Sequence, residues 1–232
     1  MQLSKRLAAI AAFVQPGERL ADIGTDHAFL PTALVQAGTV PFAVASDIGA
    51  GPVAIASRNV AAAGLSDQIA VRQADGLASL KPEDAIATVV IAGLGGELMC
   101  HLLSAGRQAL DGTETLILAP HRDPELVRQW LAEHEFGILD EALVADEGHV
   151  YPIMVAGQTA PAVPYKRADL ILGPILKQRG GALFQQELAR RINATKKVIA
   201  GLQQAHQLDH QKLVEAQTDL AIMEEAHANH RE

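Results

Sequence analysis

Residues 136–145, Phe-Gly-Ile-Leu-Asp-Glu-Ala-Leu-Val-Ala, read as one strand-like run and residues 149–156, His-Val-Tyr-Pro-Ile-Met-Val-Ala, as another, with only Asp146-Glu147-Gly148 between them. A parallel crossover needs about a dozen residues or more, so this short loop makes the two runs an antiparallel hairpin. Upstream the pattern is different. Segments 19–23, 42–47, 68–73, 85–92 and 113–119 are short apolar or alternating runs of the strand kind, while 28–35, 52–63, 97–103 and 125–134 repeat apolar residues at helical spacing. Strand alternating with helix is the signature of a parallel sheet. The expected fold is an α/β, Rossmann-like sheet whose parallel strands end in an antiparallel hairpin, preceded by a helix over 3–14 that stops at Pro16-Gly17.

The first strand-to-helix turn is Ala21-Asp22-Ile23-Gly24-Thr25-Asp26-His27-Ala28-Phe29-Leu30-Pro31. A carboxylate at a strand's carboxyl end, then a glycine, then a helix N-terminus, suits a bound cofactor: the acid accepts hydrogen bonds and the glycine permits close approach. The G-x-G-x-x-G fingerprint is incomplete here, since Asp26 stands where its second glycine would fall. Two acids flanking the turn would repel a diphosphate and welcome a cationic sulfonium with an amino-acid tail. This favours S-adenosylmethionine over a dinucleotide. The plainer alternative is that Asp26 caps the helix and His27 sits on its first turn.

Asp47, at the tip of the second strand, is placed to hold the two vicinal hydroxyls of a ribose with its two acceptor oxygens. Asp75-Gly76 offers a polar edge for an adenine, or else a tight turn. The cofactor-binding set read from the sequence is Asp22, Gly24, Thr25, Asp26, His27, Asp47, Ile48, Asp75, Gly76, Ala92 and Gly93. After the strand at 85–92, Gly93, Gly95 and Gly96 remove side chains where a flat group must pass, so Gly95 and Gly96 are read as substrate-facing. Cys100 and His101 read as packing or surface residues, and Trp130 as packed on the sheet.

The chain has 232 residues, 49% of them hydrophobic, enough for a sizeable core. A single cysteine excludes an intrachain disulfide, and no apolar run or leader points to a membrane, so a soluble cytoplasmic protein is expected. The net charge of −8 is uneven: 1–160 carry 9 Lys+Arg against 19 Asp+Glu, 161–200 carry 8 against 2, and 201–232 carry 2 against 6. The basic block comprises Lys166, Arg167, Lys177, Arg179, Arg190, Arg191, Lys196 and Lys197, either a solvated helix face or a nucleic-acid contact.

Segment 157–164 turns to Gly, Pro, Thr and Ala, a linker composition. Beyond it Leu188, Ile192, Thr195, Ile199 and Leu202, and then Leu213, Ala216, Leu220 and Met223, recur at three- and four-residue steps, the seam of a helical coiled-coil hairpin with its turn near 205–209 and Asp209 as cap. His206 and His210 lack a third ligand nearby, so no metal site is expected. Nor is a Ser-His-Asp or Cys-His signature for covalent catalysis visible.

A parallel sheet finished by an antiparallel hairpin is, by fold analogy, the pattern of class I methyltransferases rather than dehydrogenases. The sequence resembles the bacterial tRNA (adenine-22, N1)-methyltransferases through Asp22 to Pro31, through Ile91-Ala92-Gly93-Leu94-Gly95-Gly96-Glu97-Leu98-Met99, and through Leu172-Gly173-Pro174-Ile175-Leu176. The resemblance implies a methyltransferase domain over 1–160, a coiled-coil domain over 161–232 that docks tRNA, S-adenosylmethionine as donor, and N1 of adenine 22 in the D-loop as acceptor. The substrate-binding candidates are then Gly95, Gly96, Lys166, Arg167, Arg190, Arg191, Lys196 and Lys197, with no membrane and no obligate protein partner. Asp26 is the catalytic candidate, as acceptor for the adenine amino group or the donor's ammonium. Two positions depart from the family: Leu94 stands where methionine is usual, and Ala119-Pro120-His121 where Gln-Pro-Asn is common. His121 is assigned no catalytic part. From the residues alone, a methyltransferase for protein or small molecules and a catalytically idle cofactor-binding adaptor stay open.

Overall fold

In the computed structural model, β1 (Leu20–Ile23), β2 (Ala43–Asp47), β3 (Ile69–Gln73), β4 (Thr88–Ala92) and β5 (Thr115–Ala119) lie parallel, and β6 (Gly137–Asp146) and β7 (His149–Gly157) close the sheet antiparallel. Seven strands among the described residues, which are 3–159, 161, 163–205 and 209–229, run in the order β3-β2-β1-β4-β5-β7-β6. The expected Rossmann-like sheet with its terminal hairpin is therefore present. The hairpin turns on two residues rather than three, because Glu147 (φ 47°) and Gly148 (φ 79°) both take the left-handed conformation that matches strand twist, and Asp146 pairs with His149. A register shift between Ile138 and Asp140 leaves Leu139 outside the ladder and 57% exposed.

Helices cover both faces. Against one, α1 (Lys5–Ala11), α2 (Phe29–Gln36) and α3 (Ala50–Ala62) contribute Ile10, Leu30, Leu34 and Val60 to a core with Leu20, Ala45, Val90 and Ile117. Against the other, α4 (Gly96–Ala105) and α5 (Pro124–Glu133) bring Met99, Leu103, Trp130 and Leu131 onto Ile23, Ile91, Leu118 and Met154. Alternation along each strand divides the cores.

Several boundaries move for local reasons. The α3 helix starts at Ala50 rather than Pro52, because Asp47 Oδ1 accepts from Gly49 N at 2.7 Å and Pro52 then sits harmlessly in the first turn. The β4 strand starts three residues late, behind a 3₁₀ turn at Pro82–Asp84 and a left-handed Ala85. Glu114 delays β5 by accepting from Asp111 N and Gly112 N.

The chain divides into compact units, residues 1–162 and 163–232. In the second, α6 (Arg167–Leu172), α7 (Leu176–Arg179), α8 (Ala182–Gln204) and α9 (His210–Asn229) include the expected helical pair. Leu188, Ile192 and Met223 of the seam are buried, whereas Thr195, Ile199, Leu202, Leu213, Ala216 and Leu220 are half-buried. The packing is thus densest away from the α8–α9 turn, where Ile171, Leu172 and Leu176 are also buried. Asp209 Oδ1 accepts from Lys212 N at 3.1 Å, the expected cap. His206 lies outside the described residues.

Candidate active site

Strand order reverses between β1 and β4. In open α/β sheets the crevice outside the carboxyl ends at such a reversal takes the ligand. Asp22, the third residue of β1, is 8% exposed and lies in register with the small or apolar Ala45 and Val90. Burial pushes its carboxyl up to about 6, against the lowering effect of a hydrogen bond from the Thr25 hydroxyl. The same hydroxyl oxygen accepts from Ala28 N at 3.1 Å, so Thr25 ties the acid to the start of α2. Gly24 adopts φ 76°, and the amides of Gly24 and Thr25 both donate to Ser46 O at 2.8 Å. That pins the β1 loop to β2.

Neither Asp26 nor His27 caps α2, because left-handed Ala28 takes the N-cap position. Asp26 is instead 75% exposed and 3.0 Å from His27 Nε2, while the His27 ring stacks on Phe29 at 5.0 Å. On β2, Asp47 spends Oδ1 on Gly49 N, and its backbone oxygen accepts from Ala74 N at 3.0 Å. Gln73 Nε2 donates to Ile48 O at 3.2 Å, which ties the tips of β2 and β3 together, with Ile48 exposed beside them. Asp75 is exposed at the same edge. Gly76 is buried at φ 51°, with Leu102 filling the place a side chain would need. It opens a 3₁₀ turn, Gly76–Ser79, rather than a tight two-residue turn.

The loop after β4 is zipped to the loop after β5: Gly93 N donates to Ala119 O, Gly96 N to Arg122 O, and His121 N to Leu94 O. Gly93 has φ 84°, and Leu94 lies over Gly24, so the change from methionine exchanges one apolar cover for another. A Cβ on Gly96 would fall 2.3 Å from the Asp123 carbonyl oxygen, so its bareness admits the neighbouring backbone. Gly95 underlies the Arg122 side chain, and Ala92 ends β4 beside Ala119.

Sequence reasoning missed three residues at this edge. Arg6 of α1 donates to His121 Nε2 and lies 5.1 Å above the Tyr151 ring, and the His121 and Tyr151 rings are 5.0 Å apart. Arg122 is the third. Nothing local marks them, since positions 6, 93, 121 and 151 meet only through the sheet. Cys100, its thiol pushed up to about 11 mainly by burial, is an inert packing residue. Among the described residues no group of three or more His, Cys, Asp or Glu is arranged to hold a metal, and no helix is long and apolar enough to cross a membrane.

In the second unit the basic block is largely engaged. Arg167 grips Asp219 through two bonds and Arg190 grips Glu187, Lys177 meets Asp169 at 2.6 Å, Lys196 meets Glu224 at 2.8 Å, and Arg191 donates to Ile171 O at 2.7 Å. Lys166 and Lys197 are exposed.

The sheet order, reversing between β1 and β4 and closed by an antiparallel hairpin, is that of the class I methyltransferases. A family model described as tRNA (adenine(22)-N(1))-methyltransferase matches residues 20–225. The tRNA (adenine(22)-N(1))-methyltransferase of Bacillus subtilis is 34% identical over 231 residues, covering 97% of each chain. The solved structure of the B. subtilis M1A22 tRNA methyltransferase TrmK superposes with a TM-score of 0.90 at 32% identity, covering 97% of this chain and 99% of that one. Streptococcus pneumoniae Sp1610, described as a putative tRNA (m1A22) methyltransferase in complex with S-adenosyl-L-methionine, gives 0.88 at 30% identity, covering 97% and 100%. The chain belongs to the tRNA (adenine(22)-N(1))-methyltransferase family, and its reaction is methyl transfer to N1 of a tRNA adenine.

Proposed function

We propose that this chain, a cytoplasmic enzyme, methylates N1 of adenine 22 in the tRNA D-loop with S-adenosylmethionine held along the carboxyl edge of β1, β2 and β4. The donor supplies an electrophilic methyl group on a sulfonium. The observation that carries the assignment is the placement of Asp22 and Asp47 beside left-handed Gly24 and Gly93 at the strand-order reversal. Asp47 has one carboxylate oxygen committed to Gly49 N and directs the other to the ribose hydroxyls. Asp22 and Thr25 hold the amino-acid end, where a cation beside Asp22 favours its ionised form. Ile48 covers the adenine, which Asp75 edges. Left-handed Gly24 and Gly93 let the donor lie against backbone, with His27 and Ala92 at its margins.

Adenine N1 carries an in-plane lone pair and is mostly unprotonated near neutral pH, so alignment suffices and no general base is obligatory. The protein's task is to bring the Watson–Crick edge out of the D-loop and into the crevice. Asp26 accepts from the exocyclic amino group and orients the ring. Docking of the tRNA body falls to the 163–232 unit through its basic face, Lys166 and Lys197 included. The test is to incubate unmodified tRNA with the chain and donor and digest it for mass spectrometry. N1-methyladenosine mapping to position 22 supports the reading, and its absence or another site refutes it.

A further inference from the structure

The first unit carries 19 acids against 9 Lys and Arg over residues 1–160, yet cations gather at one place on it. The β6–β7 hairpin pairs with β5 from Met154 to Ala156, and that register sets Ile153 opposite Ala119, so residues 149–152 of β7 run on past the carboxyl end of β5. This overhang carries Tyr151, still paired with Val144 of β6, to the loop after β5, where its ring meets that of His121. The α1 helix is fastened there too, Arg6 N donating to Asp146 Oδ2 at 3.0 Å. Arg6 Nη1 would lie 3.7 Å from a Cβ on Gly93, and Arg122 Nε 2.9 Å from one on Gly95. An arginine therefore stands over each of two glycines in the loop where the methyl group is handed over.

We propose that Arg6 and Arg122 bind the backbone phosphates flanking the extruded adenine, with His121 and Tyr151 holding Arg6 in place. This deepens the function proposed above and rests on it. A nucleotide delivered base-first to the crevice leaves its two phosphates at the mouth, where the acidic unit offers little else to meet them. A guanidinium has five donors; Arg6 gives one to His121 and keeps others for a phosphate. That bond requires His121 Nε2 to be unprotonated, in keeping with the lowering of its pKa by burial and by Arg6 and His149. His121 is thus a neutral prop beside the cation, and a positioning residue. The Arg122 side chain is 77% exposed, 3.6 Å from its neighbour Asp123, and packs into no core.

Arg122→Ala carries no threat to the fold and Arg6→Lys keeps the charge, so the pair is informative beside Arg6→Ala in the full chain. With unmodified tRNA at several salt concentrations, each alanine variant should lower kcat/KM by about tenfold and the double variant should flatten the salt dependence of tRNA binding by about one to two units, with donor affinity unchanged. Arg6→Lys should recover most of the salt slope. If the wild-type chain makes N1-methyladenosine 22 and the alanine variants match it in both kcat/KM and salt slope, the phosphate clamp is wrong. If the wild-type chain does not methylate that position, the function reading itself fails.

Discussion

Charges are handled differently in the two units. In residues 1–162 the Arg128–Glu141 pair is 2% and 0% exposed and joins α5 to β6 at 2.8 Å, and Arg72 reaches the nearly buried Asp84 through two bonds. In residues 163–232 the Arg167–Asp219, Arg190–Glu187 and Lys196–Glu224 pairs lie half in solvent. A buried pair is locked, because losing either partner strands a charge in a poor solvent. An exposed pair is worth little and is screened by salt, so an incoming phosphate can displace its carboxylate at small cost. The lesson is that intramolecular partners on the helical pair do not cancel it as an RNA-docking face. Fixed charges build the sheet, and exchangeable ones lie on the helical unit.

The largest effect should come from the locked pair. Arg128→Ala is expected to destabilise the chain by about 3–5 kcal/mol, while Arg167→Ala should cost under about 1 kcal/mol. Denaturant midpoints read both, and equal losses would break the contrast. Next is Asp47→Ala, which should weaken donor binding by about 1.5–3 kcal/mol, the range for hydrogen bonds to a charged group. Calorimetry with unchanged affinity would remove Asp47 from the site.

Asp22 sharpens the comparison through pH. Its carboxyl is raised from 3.8 to about 6 by burial, so it contributes stability that is full below about pH 4 and lost as pH rises through 6. Donor binding should run the opposite way: a cationic ligand beside Asp22 prefers the ionised acid, so affinity should fall as pH drops through 6. Asp22→Asn should flatten that dependence. A wild-type affinity independent of pH between 5 and 7 would place the donor's cation elsewhere. The smallest effect is expected on the helical pair, where Arg190→Ala with Arg191→Ala should flatten the salt slope of tRNA binding by up to about one to two units and leave donor affinity alone.

Local chemistry made much of this legible. The hairpin followed from loop length, and the acids at Asp22 and Asp47 from their places at strand ends. Asp209 was readable as a cap because capping is a short-range bond. Contacts across the sheet were not: Arg6, His121 and Tyr151 converge only because β7 overruns β5, which no spacing in the chain encodes. The glycines were ambiguous in the sequence for a related reason. A bare position records that something comes close, and at Gly96 that something is the Asp123 carbonyl. The basic block was visible as composition, but its partners Asp219, Glu187 and Glu224 depend on how the helices pack.

The most direct test of the division of labour is a chain ending at Pro164, assayed for donor binding and for methylation of unmodified tRNA. Donor affinity within about twofold of the full chain, together with tRNA binding and N1-methyladenosine formation reduced by about tenfold or more, is the predicted result. A truncated chain that binds and methylates tRNA like the full one would contradict it, and the basic helical face would then be only a solvated surface.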